Sequence, residues 1–214
     1  AGDTVNATLA CMMAVERDPL LATHLANHAA SIAVTKLGTI PVHTEELLAA
    51  LAVRPAEKAF DDAELHANLK WWRLRNKSIV FTNGCFDLLH VGHVSLLQQA
   101  ADCGDILIVG LNSDDSIRRL KGPERPLIPQ HERALLLAAL QFVDGVVIFD
   151  EDTPQRIIEQ IQPDILVKGA DYRIDQVVGR EVVEERGGKV VLVSLVENKS
   201  TSALVNVIRS TPPE

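Results

Sequence analysis

The chain has 214 residues, 47% of them apolar, a formal net charge of -8 and three cysteines. That is enough to bury a core in one large or two small domains, and a negative balance without a Lys/Arg block argues against nucleic acid or an anionic membrane as the main partner. No apolar run approaches the roughly 20 residues of a membrane span, the N-terminus lacks a signal-peptide pattern, and Cys11, Cys85 and Cys103 have no paired spacing, so a cytoplasmic protein with free thiols is expected.

From Asp3 to about Lys36 the apolar residues recur at helical spacing (Val5, Leu9, Met12, Met13, then Leu21, Leu25, Ala29, Ile32), with a break at Asp18-Pro19. Two helices joined by a short turn are predicted, and a third from Glu45 to Leu51, capped by the Thr44 hydroxyl. Residues 1–53 therefore read as a small all-helical segment, residues 54–60 as a linker, and residues 61–214 as a second domain. Asp61 to Arg75 predicts a helix with Trp71 and Trp72 near its end.

The pattern then changes. Ser78–Thr82, Asp105–Leu111, Val143–Phe149, Asp164–Lys168 and Lys189–Leu195 are short, continuous and rich in Val and Ile, as strands buried on both faces are. Helical patterns separate and follow them at Gly92–Cys103, Pro129–Leu140, Pro154–Ile161, Arg180–Arg186 and Ser202–Arg209. The alternation predicts an α/β fold, a Rossmann-like, doubly wound parallel sheet of five strands. Ligands of such sheets bind beyond the carboxyl ends of the strands at the topological switch point, so site residues should follow strands directly.

Directly after the first long strand comes Asn83-Gly-Cys-Phe-Asp-Leu-Leu-His-Val-Gly-His93, leading into a helix. Gly84 lets backbone approach a ligand closely, and the start of the helix offers free N–H groups to an anion. His90 and His93, three apart, can face one phosphate. One histidine alone would read as a polar helix start. A metal site is disfavoured because the pair has no third ligand at standard spacing.

The same run resembles the signature of the HxGH nucleotidyltransferases, and among them the bacterial D-glycero-β-D-manno-heptose 1-phosphate adenylyltransferases. The resemblance covers roughly Phe60 to Ser210. It includes Leu111-Asn-Ser-Asp114, Arg119-Leu-Lys-Gly122, Arg125-Pro126, Glu132-Arg133, Asp152-Thr-Pro-Gln-Arg156, Val167-Lys-Gly-Ala-Asp-Tyr172 and Lys199-Ser-Thr-Ser202. It implies transfer of AMP from ATP, accompanied by Mg²⁺, to a heptose 1-phosphate, giving ADP-heptose and pyrophosphate for lipopolysaccharide core assembly.

By resemblance the catalytic groups are His90, His93 and Lys121, the last on a mobile loop. The nucleotide is expected at Asn83, Gly84, Phe86, Asn112, Asp114, Lys168, Gly169, Asp171, Tyr172 and the helix start Ser200, Thr201 and Ser202. The sugar phosphate is expected at Asp87, Arg125 and Arg133. Asn112-Ser113-Asp114 reads equally as a strand-to-helix turn, and Arg133 equally as a solvated charge on an amphipathic helix. The nucleophile would be a phosphate monoester, largely dianionic near neutral pH since its second pKa is about 6, so no general base is needed. The alternatives are a CTP-dependent transferase acting on a small phosphorylated alcohol or phosphonate, and a nucleotide-binding interaction module without catalysis.

Ala1-Gly2-Asp3-Thr4 resembles the end of the Gly-Ala-Gly-Asp signature of ribokinase-type sugar kinases, and the likeness continues through Asn27-His-Ala-Ala30 and Lys36-Leu-Gly-Thr39. In that family the aspartate is the catalytic base, so Asp3 would mark a kinase remnant. Kinase activity is expected to be absent, because the rest of such a domain would lie upstream. Bifunctional heptose enzymes have this order of parts. Apolar helix faces left over from a kinase lead to an expected homo-oligomer.

Overall fold

In the computed structural model, residues 2–15, 17–36, 38, 40–44, 46–47, 58–194 and 196 are described. The chain divides into two compact units, Ala1–Arg54 and Pro55–Glu214. In the first, α1 (Gly2–Val15) and α2 (Pro19–Thr35) pair. The break between them arises because Asp18 caps α2, its carboxylate accepting from Leu20 N and Leu21 N at 2.9 and 3.1 Å, with Pro19 in the first turn. Most of the helix expected after Thr44 lies outside the described residues.

The second unit is a parallel sheet in the order β1-β4-β3-β2-β5-β6. Its strands are β1 (Ala59–Phe60), β2 (Ile79–Gly84), β3 (Ile106–Asn112), β4 (Gly145–Phe149), β5 (Ile165–Gly169) and β6 (Lys189–Val193). Six strands form where five were expected, because the last two residues of the expected linker pair with Val146 and Val147 as an edge strand. A two-residue strand carries no period for sequence analysis to detect. Its anchor is Lys58, whose ammonium donates to the Val143 carbonyl at 2.7 Å.

The helices are α3 (Asp62–Leu74), α4 (Val91–Ala101), α5 (Asp114–Lys121), α6 (Gln130–Ala138), α7 (Gln155–Ile161) and α8 (Arg180–Glu184). Strand side chains alternate between two cores. Val80, Leu107, Val109, Leu111, Val146 and Val167 meet Leu97 and Ala100 of α4 and Ala134, Leu137 and Ala138 of α6. Ile79, Phe81, Ile108, Val147, Phe149 and Leu166 meet Leu65 and Leu69 of α3, three isoleucines of α7 and Val183 of α8. Helices therefore cover both faces, which explains why the strands read as unbroken apolar runs. At the amino ends of the strands, Asp105, Asp144 and Asp164 accept from Ser78 N, Leu107 N and Ile79 N at 2.9, 2.8 and 2.7 Å.

From β2 the chain steps to β3 and β4 on one side and returns to β5 on the other. The switch point thus lies between β2 and β5. Their registered pairs stop at Phe81 and Leu166, whereas β2 stays paired with β3 through Gly84. The carboxyl ends of β2 and β5 therefore part, and a crevice opens where a ligand is expected.

Candidate active site

The tip of β2 enters the crevice through a turn in which Phe86 takes φ of 46°. This left-handed geometry is uncommon for an aromatic residue and persists only when its surroundings hold it. The Phe86 ring folds back over Gly84, where an added Cβ would lie 3.1 Å from Phe86 Cε2. The ring is 6% exposed and meets His93 edge-on, with centroids 5.1 Å apart. Phe86, expected beside the nucleotide, is thus buried with its ring against a histidine of the pair.

His90 is the N-cap of α4 and His93 stands in its first turn, with His93 N donating to the His90 carbonyl at 2.9 Å. The two imidazoles stack with centroids 3.7 Å apart and planes 19° from parallel. Burial, and after it the neighbouring His90, depress the His93 pKa to about 4; Lys121 pushes the same way and the Leu88 backbone opposes. His93 is therefore neutral near pH 7, with one N–H to donate.

Lys121 is not on a loop. It ends α5, and Gly122 follows with φ of 96°. The helix carries Asp114 and Asp115 in its first turn and Arg118, Arg119 and Lys121 in its last, charges that match its dipole. Ser113 caps it, its hydroxyl accepting from Ser116 N at 3.0 Å. These were the available signals. They escape an apolar-period reading because only Ile117 is a buried hydrophobic in the helix.

Across the crevice, Lys168 is 8% exposed, and its ammonium donates to Asn83 Oδ1 at 2.5 Å and lies 5.4 Å from the Tyr172 ring centre. The hydrogen bond spans the gap where β2 and β5 part. Burial lowers its pKa to about 8, with Asp171 and Cys85 opposing. Gly169 is buried, whereas Asp171 and Tyr172 are exposed at the rim.

The three residues expected at the sugar phosphate are engaged in contacts within the protein. Asp87, 1% exposed, accepts from Arg125 Nη1 at 2.5 Å and from Leu127 N and Ile128 N at 2.6 and 3.1 Å. The carboxylate is thus spent on pinning the 125–128 segment to the β2 tip, and Arg125 is drawn onto it. Arg133 is 0% exposed, neither a solvated charge nor a surface contact. Asn112 and Asp114 are likewise turned inward, Asn112 Nδ2 donating to Ser116 Oγ at 3.1 Å and Asp114 pairing with Arg133 at 2.7 Å. The turn reading of this segment therefore holds for its side chains. Sequence reasoning missed Gln130, whose Oε1 accepts from Asp114 N at 2.9 Å.

Ser200, Thr201 and Ser202 lie outside the described residues, as does the helix expected after them. Asp3 is exposed in the first turn of α1. Among the described residues no group of three or more His, Cys, Asp or Glu side chains is placed to hold a metal ion, and no helix is long and apolar enough to cross a membrane.

Residues 81–211 match the cytidylyltransferase-like family model. The bifunctional protein HldE of Mesorhizobium japonicum is 52% identical over 215 residues, covering 98% of this chain and 43% of its own length. That of Geotalea uraniireducens is 53% identical over 213 residues, covering 98% and 44%. The chain thus spans less than half the length of these relatives. A solved structure, the lipopolysaccharide core biosynthesis protein from Thermoplasma volcanium, superposes with a TM-score of 0.47 at 27% identity, covering 57% of this chain and 99% of that one.

Proposed function

The chain belongs to the cytidylyltransferase-like family, and from that premise we propose that it transfers AMP from ATP to D-glycero-β-D-manno-heptose 1-phosphate, releasing pyrophosphate and forming ADP-heptose. The observation that carries this reading is the stacked His90/His93 pair, held at the β2 end of the switch point where α4 begins. The choice of heptose and ATP is supported by the motifs shared with the heptose adenylyltransferases, and identity above 50% to two bifunctional HldE proteins agrees with it.

An oxygen of the sugar phosphate attacks the α-phosphorus of ATP, a new P–O bond forms, and the bond to the bridging α,β oxygen breaks. Negative charge gathers on the α-phosphate oxygens. His90 and His93 donate N–H groups to those oxygens, and Lys121 brings a full positive charge from the end of α5. A neutral His93 suits this role, since it donates without surrendering a proton. Lys168 adds a second cation on the β5 side, at the nucleotide. Ser200, Thr201 and Ser202 would hold the outer phosphates through their hydroxyls and backbone N–H groups.

Mg²⁺ bound to the triphosphate supplies charge neutralisation on the leaving pyrophosphate. Its preferred oxygen ligands come with the nucleotide and water. The crevice fits that arrangement, presenting imidazoles and ammonium groups, with the carboxylates of Asp87 and Asp114 paired to arginines.

The helices of residues 1–53 are proposed to be the closing part of a ribokinase-like domain, with no share in the transfer reaction. Pyrophosphate release with ATP and heptose 1-phosphate tests the main proposal. Release only with CTP would replace ATP and the sugar, and no release with any nucleotide would leave a binding module.

A further inference from the structure

We infer that Arg133 is a positioning residue for the transfer reaction: its buried guanidinium locks the peptide after Cys85, and holds the β2 tip against the end of β3 and the segment behind Lys121. The inference rests on the nucleotidyltransferase reading and adds to it a residue that touches no substrate.

Arg133 lies on α6 and is the largest of the fully buried side chains. A buried cation is costly unless it is paired and its N–H groups are used, and an apolar side chain of similar volume often stabilises as well or better. Stability alone is thus a weak reason for this residue. What the guanidinium supplies is geometry. Nε donates to Ile128 O at 2.8 Å, Nη1 to Cys85 O at 2.7 Å and Asn112 O at 2.9 Å, and Nη2 to Asp114 Oδ1 at 2.7 Å. A flat fork of fixed directions meets these four acceptors; a lysine ammonium, a point at the end of a flexible stem, does not.

Each acceptor belongs to a different piece of the site. Cys85 opens the turn that leads to His90 and His93. In a trans peptide the C=O and N–H point in opposite directions, so holding Cys85 O on Arg133 aims the Phe86 N–H away from it. Phe86 follows that plane with its left-handed φ and its ring against His93. Asn112 closes β3, Asp114 begins the helix that ends in Lys121, and Ile128 closes the segment that follows that lysine. One side chain therefore fixes the histidine side of the crevice relative to the lysine side. Misplacement of reacting groups by about 1 Å can cost about 100-fold in rate.

The test compares Arg133→Lys and Arg133→Ala in the full 214-residue chain, by initial rates of pyrophosphate release with ATP and heptose 1-phosphate. Circular dichroism and urea melting give the folded fraction. Per folded molecule, kcat in Arg133→Lys should fall about 10- to 100-fold while KM for ATP changes less than about threefold. Added guanidinium ion should restore part of kcat to Arg133→Ala and none to the wild type. Unchanged kcat in folded Arg133→Lys, or a loss that only tracks the unfolded fraction, overturns the inference. If neither variant folds, Asp114→Asn, which removes the one carboxylate partner, decides: kcat equal to wild type overturns it and a selective fall supports it. Wild-type protein that releases no pyrophosphate with any nucleoside triphosphate overturns the transfer reading, and this role with it.

Discussion

Replacing Asp87 by Ala removes three interactions at once: the pair with Arg125 and the acceptor for Leu127 N and Ile128 N. Asp87 is 1% and Arg125 15% exposed at the side chain, so the guanidinium would be left half-stranded. Breaking a buried pair costs about 3–5 kcal/mol, and the two N–H groups add about 1 kcal/mol each where water cannot reach them. These terms overlap, so about 4 kcal/mol is expected for the variant. Against a typical stability of about 5–15 kcal/mol it should still fold. With a urea slope of about 2 kcal/mol/M, the midpoint should fall by about 2 M. Asp87→Asn keeps one acceptor oxygen and should fall between the two. A midpoint shift below about 0.5 M for Asp87→Ala would refute the reasoning, since it would mean that the 125–128 segment is not held by this carboxylate. Because that segment follows Lys121, kcat for pyrophosphate release should fall along with stability.

His90→Ala and His93→Ala should each lower kcat by about 100-fold or more, as loss of one preorganised donor does elsewhere; near-normal turnover would remove them from catalysis. Lys168 has a pKa lowered to about 8 by burial, so its positive charge is present below pH 8 and lost above it. Nucleotide affinity, read by calorimetry, should therefore weaken as pH rises through about 8, and Lys168→Met should lose that dependence; an identical profile in the variant would exclude the lysine. Gly110→Ala should lower Tm and cost about 1–3 kcal/mol, because the added Cβ would lie 2.6 Å from Phe81 Cζ inside the sheet. An unchanged Tm would show that the Phe81 ring can give way.

The sheet was legible because strands covered on both faces read as apolar runs, and every run expected after residue 75 overlaps an observed strand. The His90/His93 site was legible for a related reason: a glycine turn, a strand end and a helix start are local features. α5 was missed because its stability comes from capping and charge placement, which an apolar period does not detect. β1 was missed because two residues become a strand only when Val146 and Val147 are beside them.

Sequence alone determined the alternation of the five long strands with most of their helices and the place of the His90/His93 run between a strand end and a helix start, since each depends on residues close together in the chain. Only the tertiary structure decided which charged groups are buried and which partners they take. Arg125 pairs with Asp87 and Arg133 with Asp114, partners that come from other segments and that no local pattern announces. Burial of a charge depends on what the rest of the chain places around it, and that is a property of packing rather than of local pattern.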